Sequence, residues 1–240
     1  MPAAETASAI EIIPKSTEQG GAMHEKVYAT LKSALIAGQL APGRAVSVRR
    51  LAAEFSVSAM PAREAIRRLV AVGALELTAT RRVMIAQMTP EKMEEIKQAR
   101  LALEPILSEF TLSAIAQKPR ARNRLVKTLE DIDVNLDEAI HRGDVLAYAK
   151  LNSDFHFALY RQAGAHVLLS LVESLWLQFG PFMRVVIGRL GTSCLVDDQH
   201  KEIIEAVETL DAAKLKEAVR ADILHGMHTI SLDEVQDSQA

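Results

Sequence analysis

The sequence predicts a mainly α protein in two parts: a small basic head of three helices and a hairpin, then a larger acidic body of six helices. Three observations carry that reading. First, charge is split along the chain. Residues 22–90 hold ten Lys/Arg against four Asp/Glu, a net +6, whereas residues 91–240 hold seventeen against twenty-four, a net −7. One end suits a polyanion and the other does not. Second, apolar residues recur at helical spacing almost throughout. Third, that spacing is interrupted at 75–86, where two short β-type runs flank a basic tip.

The head follows from its elements in order. Residues 1–21 are small and polar and read as a mobile N-terminal arm. From His24, the positions Val27, Leu31, Ala34 and Leu35 mark a helix that Gly38 closes. Pro42-Gly43 is a turn, and Ser47 is an N-cap for a short helix bearing Leu51, Ala52 and Phe55. Ser58 restarts the chain as a second cap, Pro61 falls in the first turn, and Gly73 ends that helix. The runs 75–78 and 83–86 then form a hairpin around Ala79-Thr80-Arg81-Arg82. Helix, helix-turn-helix, hairpin is the winged helix-turn-helix order. The predicted domains are thus the arm at 1–21, a DNA-binding winged helix-turn-helix at 22–88, an all-helical domain at 89–234 and a tail at 235–240.

In the body, Thr89-Pro90-Glu91 supplies a cap, a first-turn proline and an acidic residue near the positive end of the helix dipole. The predicted helices are 90–116, 120–142, 144–163, 167–187, 197–209 and 211–234, an all-α six-helix bundle able to bury its own core.

Composition narrows the function classes. With 49% hydrophobic and 25% charged residues, the 240-residue chain is neither disordered, fibrous nor a disulfide scaffold. No apolar run approaches the ~18 residues of a membrane span. The first twenty residues lack the basic start and apolar core of a secretory signal. Cys194 is the only cysteine, which forbids an internal disulfide. A cytoplasmic protein with no membrane association is expected.

The second helix of a helix-turn-helix enters the major groove by its N-terminal end. Here that end reads Ser58-Ala59-Met60-Pro61-Ala62-Arg63, so Ser58, Ala59, Met60 and Arg63 are candidate base readers. The planar fork of Arg63 suits guanine O6/N7 or a phosphate. Arg67 follows toward the backbone with Arg68, Arg49 can reach phosphate, and Arg81 and Arg82 form the wing tip. The alternative, that such arginines only solubilise an amphipathic helix, holds better for Arg67 or Arg68 alone than for Arg49, Arg63 and the wing together.

The stretch LKSALIAGQLAPGRAVSVRRLAAEFSVSAMPAREAIRRLVAVGALEL resembles the DNA-binding domain of the GntR family of bacterial transcription regulators. The helical body resembles the FCD effector domain of its FadR-type branch, and six helices rather than seven point to the VanR-like subgroup. The resemblance implies a homodimer on a double-stranded DNA operator, with a small carboxylate-type effector bound in the body. Two positions of the head depart from the family pattern. Ala59 stands where an arginine often reads bases, and Arg82 stands about where a wing-tip glycine is usual. Recognition then leans on Arg63 and on Arg81 and Arg82 in the minor groove.

The resemblance also implies a divalent metal, held by an aspartate, a histidine four residues on and two later histidines. Aligned residue by residue, these positions are Asn152, His156, His200 and Asp222. Asn152 and His156 share a helix face at i, i+4, whereas Asp154 points elsewhere. The losses at the first and fourth positions compensate in charge, since one carboxylate remains among the four. Zinc, nickel or manganese suits the set. His225 is an alternative to Asp222, and a set of polar core residues bonded to one another is the alternative to any metal. Arg100 and Glu104 match a family R-x-x-L-E motif. Arg100 reads equally as an effector anchor and as half of an i, i+4 pair, while Trp176, Phe179 and Phe182 read as core. The conclusion from sequence is a ligand-responsive, sequence-specific transcription regulator, not an enzyme. Its rivals are a metal-dependent enzyme acting on small acids and an architectural DNA-binding dimer without effector.

Overall fold

The structure is a computed structural model and describes residues 20–190 and 199–228. Cys194, most of the expected arm and the tail lie outside the described residues. The head begins with α1 (Gly20–Ile36), so its first helix starts inside the stretch expected to be an arm. β1 (Ala45–Val46), α2 (Val48–Glu54), α3 (Ala59–Ala71), β2 (Leu75–Leu77) and β3 (Val83–Ile85) follow. The sheet is antiparallel with order β1-β3-β2, Leu75 facing Ile85 and Ala45 facing Met84. Strand β1 was not expected, because two residues are too short to show a period of two.

Local chemistry explains the breaks. The Ser47 hydroxyl accepts from Arg50 N at 3.4 Å and caps α2. Ser58 takes the cap position of α3 with extended backbone, but its hydroxyl makes no cap bond. Gly73 adopts φ +71 and ends α3 in a Schellman pair, with Gly73 N donating to Val70 O and Ala74 N to Leu69 O. At the hairpin tip Arg81 is left-handed, with φ +59. Arg82 N donates to Thr78 Oγ1 at 3.0 Å, which fixes the turn.

The body is α4 (Pro90–Ile115), α5 (Pro119–Arg142), α6 (Val145–Tyr160), a 3-10 turn (Arg161–Ala163), α7 (His166–Leu190), α8 (His200–Thr209) and α9 (Ala212–His228). The expected helix at 144–163 is therefore two pieces, α6 and a turn that Gly164 closes at φ +64. Helix α4 packs on α9, α7 and α6, and α5 packs on α6 and α8. Leu107, Leu129, Phe155, Leu159, Trp176 and Ile203 are fully buried between them.

Head and body meet along α1 and α7. Gly180 allows the closest approach: a Cβ there would lie 2.5 Å from the carbonyl oxygens of both Leu35 and Ile36. Lys32 pairs with Glu173 at 2.7 Å across the same joint. Helix α7 thus touches the head on one face and, through Trp176 and Phe179, fills the body on another.

Candidate functional site

Two sites emerge, one on each part. In the head, Arg49, Ser58, Ala59, Met60, Arg63, Arg67, Arg81 and Arg82 are all exposed. Met60 is 68% exposed at the first turn of α3, an unusual place to leave a large apolar side chain in water. The side chains of Arg49, Arg63, Arg81 and Arg82 make no hydrogen bond or ion pair among the described residues, so their donors face solvent. Arg67 makes a local contact to Glu64 at 3.1 Å. Arg68 differs from these. Its guanidinium donates to Glu25 at 2.6 and 3.3 Å and lies 3.6 Å from the centre of the Tyr28 ring. That hydrogen bond holds the Glu25 carboxyl below its ordinary range. Arg68 is therefore a staple between α3 and α1.

The interior of the body holds the second site. His156 on α6, His200 on α8 and Asp222 on α9 each offer a ligand atom, and these atoms all lie within 4.8 Å of one another. Three helices of the bundle converge to make the cluster, which explains why no local spacing reveals it. His156 Nε2 stands 3.2 Å from Asp222 Oδ2, and His200 Nε2 stands 3.7 Å from Asp222 Oδ1. Burial alone pushes the Asp222 carboxyl up, but His156 first, then His200 and Arg100, outweigh it and hold the group well below the carboxylate range. His156 is fully buried, yet its Nε2 has no hydrogen bond of acceptable geometry. A buried, unbonded imidazole nitrogen beside an ionised carboxylate fits a cation between them.

Asn152 lies one turn before His156 on α6, and its amide nitrogen contacts Met183 Sδ at 3.9 Å. With the amide so oriented, its oxygen is the atom a cation would use. His225 is not part of the cluster. Asp133 on α5, buried, faces His200 Nδ1 at 3.7 Å, and Lys201 stands 3.7 Å from its other oxygen. Residues of this kind, behind the ligands, were missed from sequence. The one available signal was a carboxylate in the apolar stripe Leu125, Leu129, Asp133, Leu136.

Arg100 and Glu104 are both in the core. Arg100 Nε and Nη2 donate to the Glu104 carboxylate at 2.6 and 3.3 Å, while the guanidinium lies 4.5 Å from the Trp176 ring centre and 4.9 Å from that of Phe179. Glu104 also accepts from Tyr160 Oη at 2.7 Å and Trp176 Nε1 at 3.0 Å. The aromatic residues read as core are core, and they also wall this ion pair. An i, i+4 pair at a surface is worth a few tenths of a kcal/mol. A buried one with four donors on one carboxylate is a different object.

Comparison with known proteins identifies the chain. Residues 23–85 match the bacterial regulatory proteins of the gntR family, and residues 95–225 match the FCD domain. The chain belongs to the GntR family, with an FCD domain as its body. It is 30% identical over 151 residues to the HTH-type transcriptional regulator McbR of Escherichia coli K12, an alignment spanning 63% of this chain and 66% of McbR. It is 28% identical over 221 residues to the gluconate operon transcriptional repressor of Bacillus subtilis 168, covering 88% of this chain and 83% of the repressor. The fold is shared with solved E. coli McbR/YncC at a TM-score of 0.76 and 22% identity, over 86% of this chain and 95% of that one. A GntR regulator from Rhodococcus sp. RHA1 aligns at a TM-score of 0.63 and 19% identity, over 87% and 98%. GntR proteins are DNA-binding transcription regulators rather than enzymes. No described helix is long and apolar enough to cross a membrane.

Proposed function

We propose that this GntR-family protein is a cytoplasmic, homodimeric regulator that binds a short palindromic operator through its head, at 22–88, and senses a small organic acid in its helical domain, at 89–234. The observation that carries the DNA half is the exposure of Arg49, Arg63, Arg81 and Arg82 without partners, around the exposed first turn of α3. Arg63 reads a base edge, with Ser58, Ala59 and Met60 beside it, while Arg49 and Arg67 hold phosphates and the wing arginines enter the minor groove. Selection of operator fragments from random DNA, then titration against salt, tests it. Affinity falls steeply with salt because phosphate contacts release counterions. A salt-independent affinity would sink the model.

For the body, Asn152, His156, His200 and Asp222 would hold one zinc, nickel or manganese ion. Bound there, the ion supplies open coordination positions and a residual positive charge for a carboxylate. Arg100 is the second anchor: Glu104 takes its Nε and Nη2, and Nη1 makes no hydrogen bond among the described residues. The naming of one relative for a gluconate operon fits an acid as effector. The test is the melting temperature after chelation and refilling. His156→Ala, His200→Ala and Asp222→Ala each abolish metal stabilisation, while Asn152→Asp tightens binding by adding a charge. Silence of all four variants, with no effect of chelation, would leave a polar core in place of a metal site.

The dimer contact falls on α4. Ala99, Leu103, Ile106, Phe110 and Ser113 repeat at four- and three-residue spacing with no charge among them, and Ile106 and Phe110 are 43% and 48% exposed. Exposed Glu94 and Glu95 lie toward one end of α4 and exposed Lys118 and Arg120 just beyond the other. A second copy laid antiparallel across a two-fold axis pairs acidic end with basic end. Phe110→Glu should yield a monomer by light scattering.

A further inference from the structure

We propose that Tyr160 and Glu104 are positioning residues for His156: they fix its imidazole proton on Nδ1 and so present a bare Nε2 to Asp222. This rests on the reading of His156 and Asp222 as cation ligands, but its first test needs no cation.

The argument is a count of protons. Glu104 is fully buried and is approached by four donors: Arg100 Nε at 2.6 Å, Arg100 Nη2 at 3.3 Å, Trp176 Nε1 at 3.0 Å and Tyr160 Oη at 2.7 Å. A carboxylate beside a guanidinium only accepts. Tyr160 has one hydroxyl proton, and the 2.7 Å contact assigns it to Glu104. The Tyr160 oxygen is then left as an acceptor toward His156 Nδ1, 3.3 Å away. Nδ1 must therefore carry the hydrogen. In its neutral form the imidazole has only one, so in that form Nε2 is a lone pair. That lone pair faces Asp222 Oδ2 at 3.2 Å, acceptor against acceptor.

Such an opposition is relieved by a positive charge between the two atoms, either a second imidazole proton or a metal ion that takes its place. Were the tautomer reversed, Nε2–H would simply donate to Asp222, and a metal would first have to displace that proton. The relay thus prepares the site before any ion arrives. It also connects Arg100 to His156 through Glu104 and Tyr160, so the residue proposed to hold the effector and the residue proposed to hold the metal share one buried hydrogen-bond chain. Asn152, His156 and Tyr160 lie on α6 at successive i, i+4 steps, which places ligand and positioning residue on the same face.

The experiment is long-range nitrogen–proton NMR of the full chain, chelated, with the pH raised until the imidazole nitrogens report the neutral form. It is followed by zinc titration against a competing chelator. Wild type should show His156 as the Nδ1–H tautomer. Tyr160→Phe should lose that signature, and its zinc affinity should fall about 10–100-fold, the usual cost of removing a partner behind a metal ligand. Thr111→Val controls for a loosened core: it removes another buried hydrogen bond close by, from Thr111 Oγ1 to Leu159 O at 2.8 Å. It should leave both tautomer and affinity unchanged. A metal-free His156 protonated on Nε2, or a Tyr160→Phe protein identical to Thr111→Val in both readouts, overturns the assignment. Wild type with the Nδ1–H tautomer but no zinc affinity would instead refute the metal reading alone and leave the positioning assignment standing.

Discussion

Arg63 in the head and Arg100 in the body are the same residue in opposite settings. Arg63 is exposed, with no ion pair among the described residues. Arg100 is 3% exposed, doubly hydrogen-bonded to Glu104 and covered by Trp176 and Phe179. The head keeps Arg49, Arg63, Arg81 and Arg82 in water, where they cost the fold little and remain available to a polyanion. The body buries its cation at the expense of desolvation, which the Glu104 carboxylate and the Trp176 and Phe179 rings offset. Function at the head is therefore a surface property, separable from stability. In the body the hydrogen bonds that hold the fold are also those on which the function proposed for Arg100 rests.

The largest expected effect tests that difference directly. Glu104→Ala should destabilise the protein by about 3–5 kcal/mol in chemical denaturation, because it strands a buried guanidinium and two further donors. Arg63→Ala should leave unfolding within about 0.5 kcal/mol of wild type. It should nonetheless weaken operator binding by about 1–3 kcal/mol and relax sequence preference. An equal loss on random DNA would make Arg63 a phosphate contact. A Glu104→Ala protein as stable as wild type would show that water or a rearranged core replaces the network.

Glycines sharpen the comparison at the joint. Gly180→Ala forces a methyl against the carbonyls of Leu35 and Ile36, so α1 and α7 must part, at a cost of about 1–3 kcal/mol. Gly226 in α9 has nothing within 4 Å of where its Cβ would be. There Gly→Ala should stabilise by about 0.5–1 kcal/mol through helix propensity alone. Thermal unfolding of the two single variants decides it, and matching signs would refute the close-packing argument.

The same contrast explains what the sequence revealed. The head was legible because its signals are local. Ser47, Gly73 and the basic hairpin tip each act on residues within a few positions. What was missed there was also local, the two-residue strand β1. The body's helices were legible from periodicity, but its site was not, since His156, His200 and Asp222 come from three helices. They were reached through family resemblance. Glu104, Tyr160 and Asp133 lie behind those candidate ligands; Glu104 was marked only through the R-x-x-L-E motif, and neither spacing nor resemblance marked Tyr160 or Asp133. Only packing brings Glu104 and Tyr160, 56 residues apart, to 2.7 Å.

The smallest effect concerns an ion pair that ties head to body, Lys32 to Glu173 at 2.7 Å. Its side chains are 23% and 22% exposed, an intermediate case between Arg63 and Arg100. Most of each charge's desolvation is therefore incurred, but salt can still reach the pair. A double-mutant cycle of Lys32→Met, Glu173→Gln and the double variant should give a coupling of about 0.5–1 kcal/mol. The coupling should shrink in about 1 M salt, where the screening length falls to roughly 3 Å. A coupling that salt does not touch would place the pair with the body's buried network. A coupling of zero would leave the Gly180 contact and its apolar surroundings as what holds the head in place.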